Sequence, residues 1–155
     1  MPASDSTCQI VRTLDVIGEK WSLLIVRNAL RGQTRFSEFR DSLGAPTDIL
    51  SNRLAKLVDA GILEKRPYRE AGDRARFSYH LTPRGEALRI VMAAMVQWGD
   101  EFNPCPAGPA SRIVDASDDR ALRLGFLDEE GREVELDDVA LAPGPAARTP
   151  WEYRR

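Results

Sequence analysis

Histidine is almost missing from this 155-residue chain: His80 stands alone. It lies among apparent strand residues, so a histidine base has one poorly placed candidate, read as structural. Cysteine is nearly as scarce, with Cys8 and Cys105 in neither CxxC spacing nor a His/Cys cluster. That excludes the usual zinc site, and no cofactor is expected. Phosphate loops and GxSxG elbows are also absent, which puts an enzyme last among the readings. No apolar run approaches the roughly 20 residues of a membrane span. The opening "MPASDSTCQI" lacks the basic, apolar and small-residue order of a leader, so a cytoplasmic location with no membrane partner is expected.

What is present is ordinary in amount and uneven in distribution. Hydrophobic residues make up 43% and charged residues 30%, enough for one domain with a core and an appendage. The net charge of −2 conceals a basic middle: residues 31–84 carry 11 Lys and Arg against 7 Asp and Glu, whereas 104–155 carry 7 against 11. A local basic surplus on a weakly acidic chain points to a local polyanion contact.

Ile10, Val11, Leu14 and Ile17 recur at helical spacing before Gly18, and "KWSLLIVRNAL" (20–30) is apolar nearly all round, like a helix at the centre of a small bundle. Phe36, Phe39 and Leu43 predict a short helix with Ser37 as its N-cap. Gly44-Ala45-Pro46 turns the chain, and Thr47 is placed to cap a second helix ending near Gly61. Leu50, Leu54, Leu57 and Val58 line one side of that helix; Asp48, Asn52 and Lys56 fall opposite, with Ser51 and Arg53 on the flanks. "ILEKRPY" and "FSYHL" read as strands around the polar tip "REAGDRAR" (69–76). Thr82-Pro83 opens a long helix expected to run to about Phe102, apolar on more than one face and so in need of a partner. After "NPCPAGPA", Leu122, Leu124, Phe126, Val134 and Leu136 alternate with polar residues around Asp128-Glu129-Glu130-Gly131, a hairpin pattern.

The expected fold class is therefore α+β and mostly helical: a winged helix-turn-helix with a long C-terminal dimerisation helix and an appended β-hairpin. Residues 1–103 form the DNA-binding and dimerisation domain; 104–155 form the proline-rich linker, acidic hairpin and tail. In that arrangement the second helix of the turn enters the major groove and the wing lies along the backbone. Ser51 and Asn52 are the expected base readers, joined by Thr47 and Asp48 on the same helix. Ile49 meets a thymine methyl or packs on the preceding helix. Arg35, Ser37, Arg53, Lys56, Arg69, Arg74 and Arg76 are candidate phosphate contacts, each of which taken singly could equally be a solvated charge. The acidic hairpin cannot grip DNA. It packs on the dimer, borders an effector site, or shields a surface.

"GEKWSLLIVRNALRGQTRFSEFRDSL", "LSNRLAKLVDAGIL", "YHLTPRGEAL" and "WG" together resemble, in order and spacing, the HxlR-type transcriptional regulators related to the MarR group, over about residues 8–102. The resemblance implies a homodimer held by the first and last helices of that stretch, with two wings straddling a double-stranded operator; a repressor is expected. It also implies that Cys8 senses oxidants or electrophiles, as in some members; the plain alternative is a small buried apolar residue. Members often carry lysine after the Ser/Thr cap of the recognition helix, where this chain has Asp48, and their wing often contains proline, where this chain has "REAGDRAR". Trp21 and Trp98 read as core or interface residues, or as walls of a small-molecule effector pocket. The competing classes are a winged-helix protein-interaction module without DNA binding and a regulator gated by a small molecule instead of Cys8.

Overall fold

The computed structural model describes residues 6–69 and 75–147. Its elements are α1 (Gln9–Ile17), α2 (Lys20–Leu30), α3 (Phe36–Leu43), α4 (Thr47–Asp59), β1 (Leu63–Tyr68), β2 (Arg76–Leu81), α5 (Pro83–Glu86), α6 (Arg89–Phe102), β3 (Phe126–Leu127), β4 (Glu133–Val134) and a 3-10 turn at Leu136–Asp138. This is the expected α+β winged-helix order. Among the described residues no helix is long and apolar enough to cross a membrane.

The chain separates into two compact units, Met1–Arg89 and Ile90–Arg155. The core lies in the first. Ile25 and Val26 of α2, Phe39 of α3, and Leu50, Leu54 and Leu57 of α4 have no exposed surface, and Ile62 and Leu63 are nearly as buried. Spacing at i, i+4 and i+7 puts the three leucines on one stripe, and burying each contributes about 1.5–3 kcal/mol. Asn28 is buried too, but its amide donates to Gln33 Oε1 (3.0 Å) and Ser42 Oγ (2.8 Å), tying α2 to α3.

α4 ends as its glycine suggested. Gly61 sits at φ 68°, its N–H bonds Val58 O, and the N–H of Ile62 bonds Leu57 O, a six-to-one closure with a buried residue just beyond it. Leu63 pairs with Leu81 and Tyr68 with Arg76 in the antiparallel wing. Thr82 caps α5 as expected, accepting from Gly85 N–H at 3.2 Å, while its hydroxyl donates to Gly61 O at 2.6 Å. Gly85 has no alternative here, because a Cβ would stand 2.2 Å from Ile62 O.

Three boundaries differ from expectation. Neither Ser37 nor Thr47 is an N-cap: both lie inside their helices, and Arg35 and Pro46 occupy the cap positions. At α3 the Glu38 carboxylate does the capping, accepting from the N–H groups of Thr34 (2.7 Å) and Arg35 (2.9 Å). These bonds hold its pKa below the ordinary carboxylate value. The helix expected from Pro83 to Phe102 is interrupted, since Leu88 N–H bonds Gly85 O, three residues back, and this tighter turn closes α5 before α6 begins.

The second unit begins with α6. Gln97 clasps Leu124 from both sides, accepting its N–H at 2.7 Å and donating to its carbonyl at 3.2 Å. That clasp explains why α6 clusters with the C-terminal segment, although the sequence suggested a division after 103. The expected hairpin is present but short, with Phe126 opposite Val134 and Leu127 opposite Glu133. Gly131 at φ 82° closes the turn onto Asp128. No residue of α6 is buried.

Two outcomes follow from these contacts. Gly85→Ala should destabilise the protein by about 1–3 kcal/mol through the clash with Ile62 O. Urea unfolding measures it, and an unchanged midpoint would contradict the packing described. Because the folded-state pKa of Glu38 is depressed, its contribution is present above the unfolded pKa and fades as pH falls through the folded value. Wild type should therefore exceed Glu38→Gln in thermal stability at pH 7, with the gap closing below about pH 4.

Candidate nucleic-acid interface

The roll of α4 decides which side chains face solvent. With Leu50, Leu54 and Leu57 inward, Thr47, Asp48, Ser51, Asn52 and Lys56 are exposed and Ile49 is half-buried. Asp48, Asn52 and Lys56 follow one another at i, i+4 and i+8, with Thr47 and Ser51 beside them. Asp48 also has a structural use: it lies in the first turn, where a negative charge complements the helix dipole. The turn between α3 and α4 depends on Gly44, which adopts φ 61° and returns its N–H to Arg40 O. A glycine enters that left-handed region at little cost.

Arg53 departs from expectation. Its guanidinium meets the Glu19 carboxylate at the start of α2, its side chain is only 15% exposed, and Nη1 donates to Asn52 Oδ1 at 3.3 Å. A side chain so engaged faces the protein before it faces a phosphate. Lys56 also lies near Glu19, at 3.3 Å, but is 58% exposed, and such a surface pair holds it weakly.

The wing is fastened to the start of α3. Arg35 forms a bridge with Ser78, and Tyr79 N–H bonds Thr34 O at 2.7 Å. The Arg35 guanidinium stacks over the Tyr68 ring at 5.1 Å. Ser37, Arg40, Tyr68, Arg76 and Tyr79 border a recess of about 450 Å³ between α3 and the wing. Partial burial raises the Tyr79 pKa above its ordinary value. Arg69 and Arg76 are exposed where the strands lead toward the tip; Arg74 lies outside the described residues. His80 hydrogen-bonds Ser78 at 2.9 Å within the wing.

Sequence reasoning missed Glu19, Arg40, Tyr68 and Tyr79. The tyrosines and Arg40 come together only through the wing-to-α3 bridge. Glu19 is 37 residues from Lys56, and no local pattern marks it as a partner of α4.

The remaining candidates stand apart. Cys8 is exposed at the N-cap position of α1, with extended dihedrals, rather than buried. Cys105 is exposed too. Trp21 belongs to the first unit, with Lys20 Nζ 5.4 Å from its ring. Trp98 belongs to the second and packs on Phe102 at 5.6 Å between ring centres.

A fold of this kind with a basic, hydrogen-bonding face matches a known family: residues 16–105 fit the HxlR-like helix-turn-helix model. The chain belongs to the HxlR-like helix-turn-helix family. It is 35% identical over 139 residues to Rv3095 of Mycobacterium tuberculosis, an uncharacterised HTH-type transcriptional regulator, spanning 86% of this chain and 84% of the relative. The crystal structure of PA1607, a candidate transcription factor, superposes with a TM-score of 0.78 at 35% identity, covering 90% of this chain and 97% of the other. The redox regulator HypR in its reduced form gives 0.55 at 29% identity over 61% and 92% of the two chains. This HxlR-like chain is thus a transcriptional regulator and not an enzyme.

Proposed function

We propose that the protein acts in the cytoplasm as a homodimeric repressor on an inverted-repeat operator, each protomer laying the exposed side of α4 in the major groove. The observation that carries this reading is that strip itself: Asp48, Ser51 and Asn52 project from a helix whose other side is locked in the core, leaving hydrogen-bonding groups facing out. Ser51 and Asn52 read base edges, Thr47 sits beside them, Asp48 accepts from cytosine N4, and Ile49 lies against a thymine methyl. Arg35, Ser37, Lys56, Arg69 and Arg76 contact phosphates, which set the register.

Dimerisation is supported by apolar surface that the described residues leave largely exposed. Ile10 and Leu14 of α1 are 61% and 55% exposed, and Trp98 and Phe102 of α6 are 62% and 61% exposed. Faces of that kind mark protein-binding surfaces. Two-fold symmetry then places operator half-sites about 34 Å apart.

A second reading concerns control. Cys8 is solvent-accessible at the head of a helix, and HypR, a structural neighbour, is a redox regulator. In this reading the Cys8 thiolate attacks the peroxide O–O bond, becoming a sulfenic acid as the peroxide is reduced, and DNA affinity changes with it.

DNA affinity should fall steeply with salt, roughly a thousandfold between about 50 and 200 mM if six phosphates are neutralised. Asn52→Ala should lower specific binding by about 1–3 kcal/mol and leave non-specific binding nearly unchanged. Titration of selected duplexes by fluorescence anisotropy tests both; a flat salt response would refute the interface. Mass spectrometry after mild peroxide treatment should show oxidised Cys8 alongside altered operator affinity, and neither effect in Cys8→Ser. An unmodified Cys8 rules the sensor reading out.

A further inference from the structure

Glu19 occupies the residue before α2 in an extended conformation (φ −82°, ψ 132°), yet its carboxylate caps nothing there. It reaches across to α4 instead, where it meets Arg53 and lies 3.3 Å from Nζ of Lys56. Arg53 passes the contact on, with Nη1 donating to Oδ1 of Asn52 at 3.3 Å. Three side chains therefore link the start of α2 to the outward side of the recognition helix. The middle one has little freedom: Arg53 is 15% exposed, and its Nε is buried without an acceptor among the described residues. A planar guanidinium held at two nitrogens is fixed in orientation.

A carboxamide has one accepting end and one donating end, whereas a guanidinium only donates. The end of Asn52 that faces Arg53 must therefore be Oδ1, drawn toward the protein, with the Nδ2 amino group left for the groove. Reading adenine requires both ends at once, Oδ1 for the N6 amino group and Nδ2 for N7. Oδ1 keeps a second lone pair beside Arg53, so both ends stay usable, and what Arg53 fixes is which end points where.

We infer that Glu19 is a positioning residue for base specificity: acting through Arg53, it fixes the orientation of the Asn52 carboxamide, so that the base preference read by Asn52 depends on Glu19. The inference rests on the DNA-reading role proposed for α4.

The test titrates full-length wild type, Asn52→Ala, Glu19→Ala, Glu19→Gln and Glu19→Asp against operators drawn from selected random DNA and varied one base pair at a time. The pair whose preference vanishes in Asn52→Ala is the one Asn52 reads. Wild type should favour one base there by about fivefold or more, within the range of a specific contact. Glu19→Ala and Glu19→Gln should lose that preference at this pair alone, and Glu19→Asp should regain it. Glu19→Gln keeps the side chain's shape and an acceptor, so it reports even if Glu19→Ala fails to fold. An unchanged preference in both variants, or a uniform loss at all four bases, overturns the inference while DNA reading stands. A wild type that selects no sequence overturns DNA reading and this inference together.

Discussion

The burial of Leu50, Leu54 and Leu57 fixes the roll of α4 about its axis, and the rest of the candidate site depends on that angle. A helix free to turn by one residue, about 100°, would bring a leucine to the surface and carry Asn52 out of its strip. Replacing one such leucine by alanine typically costs about 2–5 kcal/mol, far more than any exposed contact on the opposite side could recover. The hydrophobic stripe thus holds the polar one in place. Glu19 adds a second constraint from the solvent side, through Arg53, so the helix is fixed on two flanks.

The wing depends on the same frame. Among the described residues its strands pair with each other and with the short segment ahead of α3, where Tyr79 N–H meets Thr34 O. That bond and the Arg35–Tyr68 stack bring wing cations beside the start of α3. Further along, the Thr82 hydroxyl bonds Gly61 O, and Gly85 lies against Ile62 O, so α5 is seated on the end of α4. The familiar "LTPRG" stretch is, in physical terms, a cap, a helix start and a close approach in five residues.

Most of the first unit was legible in the sequence because its signals are local and repeated. Helical spacing marked α1 and the leucine face of α4, Gly61 marked a left-handed helix end, and Thr82-Pro83 marked a start. Cap residues were less legible, because a nearby carboxylate can do the work: Glu38 caps α3, and Ser37 lies two residues past the cap position. The break after Glu86 carries no proline, and the apolar pattern runs straight across it, so only the tightened Gly85–Leu88 bond reveals it. The exposed polar side of α4 was legible from its spacing and residue types. The tie between Glu19 and Arg53 was not, since it is purely tertiary, and it turns an expected phosphate contact into an internal one.

The central claim is that the outward side of α4 is where nucleic acid sits. Backbone amide chemical shifts, followed by NMR as a selected duplex is added, test it most directly. The account predicts that the largest changes fall at residues 47–56 and around 35–37, with the hairpin at 126–134 unaffected. Changes confined to the hairpin, with residues 47–56 unmoved at saturating duplex, would contradict it.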